Sequence, residues 1–103
     1  MASHLVLVFG RPVPGREAEW NEWYEQHLKD VAALPGVVRT RRFGHVARSA
    51  DQPSPPSAYL AAYEFEGEPA EFDAACAKEA QAGKLTVSTA HAPGSVVWWF
   101  EEA

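Results

Sequence analysis

One histidine lies among tryptophans in a strongly patterned stretch of the chain. Trp20, Trp23, Tyr24, His27, Leu28, Val31 and Leu34 follow one another at offsets of 0, 3, 4, 7, 8, 11 and 14. That is the spacing of a single buried helix face. The residues between them, Glu19, Asn21, Glu22, Glu25, Gln26, Lys29 and Asp30, are polar. An imidazole can take and return a proton near neutrality. Apolar walls disfavour the imidazolium and keep the neutral base ready. General acid–base chemistry at His27 is one reading of this face. The other is a core histidine hydrogen-bonded to a backbone carbonyl or to Tyr24. Trp23 and Tyr24 would wall a flat aromatic ligand in the first case and be plain core in the second.

Other groups could assist such a base. Arg39, Arg41 and Arg42 fall within one strand-like run, so Arg42 faces opposite to the other two. One of them, with Arg41 the candidate, could hold a carboxylate or enolate oxygen; otherwise they are solvated or interfacial charges. Tyr59 and Tyr63 share a face. If that face meets the helices, Tyr63 could donate to a substrate oxygen; if it meets another subunit, both are packing. His45 and His91 could line a pocket mouth or simply be surface residues. The histidines show no close pairing such as His-x-x-x-His, so no dedicated metal site is expected. Cys76 reads as a small buried hydrophobe. No Gly-rich phosphate loop, Ser-His-Asp order or paired-cysteine motif is visible.

Positioning these residues requires a sheet and helices. Leu5 to Phe9 reads as a strand and Gly10 to Gly15 as a loop. A helix starts near Arg16, with Glu17 and Glu19 suiting its positive end, and Pro35-Gly36 stops it. Val37 to Val46 is a second strand. Ala47 to Ser57, with Pro53, Pro55 and Pro56, is a mobile loop or hairpin tip. Ala58 to Phe65 is a third strand. Pro69 opens a second helix, whose inner stripe is Phe72, Ala75, Cys76, Glu79 and Ala80 and which Gly83 ends. Lys84 to Gly94 is irregular, and Val96 to Phe100 is a last strand. The order β-α-β-β-α-β predicts an α+β, ferredoxin-like fold, with two helices on one face of a four-stranded antiparallel sheet. Leu5–Phe9 and Val96–Phe100, read as edge strands, are apolar on both faces, where a one-faced sheet should alternate. A second copy of the chain is the simplest cover, so a homodimer packed sheet against sheet is expected. Each large side chain buried there would contribute about 1.5–3 kcal/mol.

Composition narrows the partners. The chain has 103 residues, which predicts one domain over 1–103, and it is 47% hydrophobic and 22% charged. A formal charge of −5 disfavours nucleic acid. The β-α-β-β-α-β order also occurs in RNA-binding RRM domains. Those need exposed strand aromatics amid basic residues, which Tyr59-Leu60-Ala61-Ala62-Tyr63-Glu64-Phe65 does not offer. Cys76 alone allows no internal disulfide. Ala2, Ser3 and His4 form no basic leader, so no signal peptide is expected. No apolar run nears the roughly 20 residues of a membrane span. A cytoplasmic protein without membrane contact is expected.

The segment from Glu17 through Glu19-Trp20-Asn21-Glu22-Trp23-Tyr24-Glu25-Gln26-His27-Leu28 to Leu34-Pro35-Gly36-Val37 and Arg41-Arg42-Phe43 resembles the dimeric α+β barrel superfamily, especially its EthD-like branch. That branch shows a Trp-Tyr pair, a His-Leu three residues later, and a Pro-Gly before a strand bearing arginine. The match covers about a quarter of the chain; the remainder agrees in topology. The resemblance implies a sheet-to-sheet dimer with a pocket in each subunit between helices and sheet. It places His27 at the position of the family's frequently functional histidine. Members include cofactor-free monooxygenases of anthrone-type aromatics, polyketide cyclases, lyases or dehydratases, muconolactone-isomerase-like proteins, haem-degrading oxygenases and stress proteins.

Two classes of function follow. In the first, the protein is a small enzyme with no bound cofactor. His27 is its general acid/base, and Trp23, Tyr24, Tyr63, Arg41 and His91 contact an aromatic or polyketide-like substrate. Proton removal would lead to cyclisation, dehydration or isomerisation, or to direct reaction with oxygen. In the second, it is a non-catalytic dimeric ligand-binding or stress-response protein. A single histidine can also serve as proximal haem ligand, which visible absorbance reads directly.

Overall fold

The computed structural model describes residues 2–103. Its elements are β1 (Ser3–Gly10), α1 (Glu17–Ala32), β2 (Val37–Gly44), β3 (Tyr59–Glu66), α2 (Pro69–Gln81) and β4 (Val96–Glu101). The sheet is antiparallel in the order β2-β3-β1-β4. This is the ferredoxin-like α+β fold expected from the element order. One detail differs: β1 is an interior strand, and only β4 of the two apolar runs lies at an edge.

Sheet parity follows from the core. Val6, Ala61, Tyr63 and Phe65 are buried with Trp20, Tyr24, Val31, Leu34 and Phe72. Tyr59, Ala61, Tyr63 and Phe65 therefore face the helices. Thr40 pairs with Tyr63 and Arg42 with Ala61, so these β2 residues share that face, and the Thr40 hydroxyl donates to the Leu28 carbonyl at 3.2 Å. Of the predicted α1 face, Trp20, Tyr24, Val31 and Leu34 are buried, while Trp23, His27 and Leu28 are half-buried at its flank.

α2 begins at Pro69, after Glu68, whose side chain and that of Glu71 cap each other's backbone. Its inner stripe is narrower than expected. Phe72 is buried and Ala75 and Cys76 half-buried, but Ala80 is exposed and Glu79 turns towards Lys84 at 3.8 Å. Gly36 has φ of 87°, and a Cβ there would lie 2.6 Å from the Glu66 carbonyl oxygen. Only glycine fits that crossing.

The opposite sheet face is apolar and uncovered. Leu5, Leu7 and Phe9 pair with Phe100, Trp98 and Val96 on β4. Phe43, Trp98 and Phe100 are 44%, 44% and 52% exposed. Three large hydrophobics are thus exposed together on this face. No described helix is long and apolar enough to cross a membrane.

Candidate functional site

The segment between α2 and β4, unpatterned in sequence, is strapped along α1 by side chains of that helix and its N-cap. The Trp23 indole N–H donates to the Thr86 carbonyl at 2.9 Å. The Arg16 guanidinium donates to the Thr89 carbonyl at 3.1 Å and to its hydroxyl at 2.8 Å, and also pairs with Glu19. Ala90 is buried, and Pro12 and His91 form an isolated bridge. These bonds carry His91 into the aromatic face of α1. Its ring lies nearly parallel to that of Trp20, at 6.3 Å and 16°, and approaches Trp23 at 5.4 Å and Tyr24 at 6.3 Å.

Both ring nitrogens of His91 are engaged. Trp20 Nε1 lies 3.0 Å from Nδ1, and Ser95 Oγ lies 2.8 Å from Nε2. Burial lowers the His91 pKa. Gly10 makes this position accessible: a Cβ there would lie 2.6 Å from His91 Cε1 and 3.3 Å from Ser95 Oγ.

His27 differs. Its ring stacks on Trp23 at 4.6 Å and 24° and meets Tyr24 edge-on at 5.7 Å. Among the described residues its nitrogens have no hydrogen-bond partner, neither the backbone carbonyl nor the Tyr24 hydroxyl considered from sequence. Burial lowers its pKa; Asp30 partly offsets this and His91 adds to it. The result is a free imidazole biased to the neutral form, beside an aromatic wall.

Trp23 and Tyr24 both flank His27. Tyr63 is buried among Phe72, Phe65 and Cys76, with its pKa well above the ordinary phenol range through burial first and then Tyr24 and Cys76. Cys76 is half-buried, and burial followed by Asp73 raises its thiol pKa.

Arg41 is corrected. It pairs with Ala62 across the strands and so lies on the uncovered face, 3.7 Å from Glu64 and over the Phe43 ring at 5.2 Å. Arg42 lies on the helix-facing side. Its guanidinium lies 4.6 Å from the Tyr24 ring centroid and 5.0 Å from that of Trp20, and donates to Asn21 Oδ1 at 2.9 Å. The period of two put one arginine on each side, but the sequence does not say which face the helices cover. His45 lies exposed beside Phe43, Pro55 and Ser57, away from this cluster.

Between α1 and the sheet, Gly10, Trp20, Tyr24, Arg42, Tyr59 and Ala61 border a gap of about 140 Å³ that is too narrow for a water molecule. The aromatic rings fill the predicted pocket in this conformation. Larger concavities lie elsewhere, notably about 500 Å³ on the uncovered face, bordered by Leu5, Arg41, Glu64 and Phe100. Among the described residues, no group of His, Cys, Asp and Glu is arranged to hold a metal ion.

The residues missed from sequence are Ser95, Gly10, Arg16 and Thr89. The available signal was Gly10 at a strand end, which marks close backbone approach.

No family model matches the chain, and no curated protein sequence matches it. Solved structures do. A monooxygenase-like protein from Shewanella loihica PV-4 is 19% identical over 95% of this chain and 94% of its own, with a TM-score of 0.63. An arginine-to-serine mutant of MhuD, with two manganese protoporphyrin IX molecules bound per active site, is 15% identical over 96% and 93%, with a TM-score of 0.68. SnoaB, a cofactor-independent oxygenase from Streptomyces nogalater, crystallised as an asparagine-to-alanine mutant, is 22% identical over 96% and 90%, with a TM-score of 0.56. At these identities the likeness is one of fold: the chain shares the ferredoxin-like α+β architecture of these structures.

Proposed function

We propose that the protein is a cofactor-independent oxygenase of a small aromatic ketone or phenol, with His27 as its general base. The observation that carries this reading is the His27 imidazole, free at both nitrogens, held towards its neutral form by burial and stacked on Trp23. A neutral imidazole can remove the acidic proton of an anthrone-type methylene. The carbanion then reduces dioxygen directly, and the net change is CH₂ plus O₂ giving C=O plus H₂O. Trp23 and Tyr24 serve as the wall for the flat ring. The SnoaB likeness favours oxygen chemistry over the cyclase, dehydratase and isomerase options, which would begin with the same proton removal. The Trp-Tyr, His-Leu and Pro-Gly spacing favours the EthD-like branch.

The working unit in this proposal is a homodimer of one-domain subunits, packed through the face of Phe43, Trp98 and Phe100. Burial of each such ring contributes about 1.5–3 kcal/mol, and a protein of the same architecture from Thermobifida fusca is described as dimeric.

The test is oxygen uptake with a panel of anthrones, naphthols and aromatic β-ketones. Turnover that falls by about 10²–10⁴ in His27→Gln supports the assignment. No saturable uptake with any of the panel, or full uptake by a folded His27→Gln protein, overturns it in favour of a non-catalytic binding protein.

A further inference from the structure

The geometry points to Ser95 as a directed hydrogen-bond donor to a substrate oxygen, aligned by a chain running from Trp20 through His91. This rests on the aromatic-substrate reading above and supplies an oxygen-side partner for it, with Arg41 on the far face of the sheet and Arg42 bonded to Asn21.

The direction of the chain follows from what each group can do. An indole N–H can only donate, so His91 Nδ1 must accept at 3.0 Å. A neutral imidazole then carries its proton on Nε2, and that proton is donated to Ser95 Oγ at 2.8 Å. With Oγ accepting, the serine hydroxyl proton is left to point outward. Ser95 is exposed, so a ligand can reach it. The same logic excludes a nucleophilic serine, because Nε2 is protonated and cannot act as base towards Oγ.

The surroundings fit a flat ring bearing an oxygen. The absence of a side chain at Gly10 leaves the room that His91 and Ser95 occupy. The cross-strand partner of Gly10, Tyr59, is 39% exposed and meets Trp20 at 5.0 Å. The substrate class is the aromatic phenol or ketone of the reading above, with its oxygen at the exposed Ser95 hydroxyl.

Two measurements test this without turnover. In the parent protein, ¹⁵N NMR of the histidine rings at neutral pH should show His91 protonated at Nε2 and bare at Nδ1, and Trp20→Phe should mix the tautomers. In a binding titration, Ser95→Ala should weaken naphthol by about tenfold, the worth of one hydrogen bond, and leave methylnaphthalene unchanged. Ser95→Thr should restore naphthol. A proton on His91 Nδ1 in the parent, no preference for naphthol over methylnaphthalene, or an equal effect of Ser95→Ala on both overturns the proposal. Failure of the His27 assignment would show instead as turnover that survives His27→Gln, with these two results intact.

Discussion

Trp20 and His91, 71 residues apart, are joined by an indole N–H donated to Nδ1 at 3.0 Å, with the two rings nearly parallel at 16°. Trp20 is 1% exposed, so this bond fixes the strap to the core itself. It also means that protonating His91 at Nδ1 requires breaking the bond.

Stability should therefore fall with acid. His91 and His27 both have lowered pKa values in the folded chain, each through burial first. The unfolded chain binds these protons more readily, near the ordinary histidine value of about 6.5. Stabilisation is complete above that value and is lost as pH falls through the folded values. Urea midpoints should drop over this window, and the drop should flatten in a His27→Gln, His91→Gln double variant. A flat parent profile there would contradict the burial of both rings.

Gly10→Ala should displace His91. The added Cβ would stand 2.6 Å from Cε1, against ring atoms clamped by Trp20 and Ser95. An overpacked contact of this kind costs about 1–3 kcal/mol. Urea unfolding reads the cost, and loss of the fixed His91 tautomer by NMR identifies its origin. Gly44→Ala, where nothing lies within 4 Å, is the control.

The legibility of these features from sequence follows their range. The α1 face was readable because helical periodicity is local, and Trp20, Tyr24 and Val31 are buried as the spacing requires. Strand parity separated Arg41 from Arg42, but which face meets the helices depends on long-range packing, so the sequence did not show that Arg42, not Arg41, covers Tyr24. The strap was invisible because its order comes from Arg16, Trp20 and Trp23 reaching across more than 60 residues. No local pattern in Lys84 to Gly94 encodes that.

The two arginines should separate in the laboratory. Arg42→Met removes a guanidinium that covers Tyr24 and Trp20 and bonds Asn21, and should cost about 1–2 kcal/mol. Arg41→Met breaks a half-exposed pair at 3.7 Å with Glu64 and should change subunit stability by about 0–1 kcal/mol. Equal losses in urea unfolding would mean that the helix-side stacking contributes nothing.

The uncovered sheet face gives the last prediction. Trp98 meets Phe9 at 4.8 Å and Phe100 at 6.4 Å, and both β4 rings remain about half exposed. A charge introduced among them would have to be desolvated in any sheet-to-sheet contact, at a cost of several kcal/mol. In the isolated subunit it would stay in water, because the side chain already faces outward. Trp98→Glu should therefore leave a folded monomer by light scattering, with far-ultraviolet circular dichroism unchanged, where the parent is a dimer. If the parent is itself monomeric at micromolar concentration, or if the variant remains dimeric, the subunits do not meet through this face. Because His27 and His91 lie on the other side of the sheet, the His91 tautomer should survive the substitution, which separates assembly from the chemistry of the site.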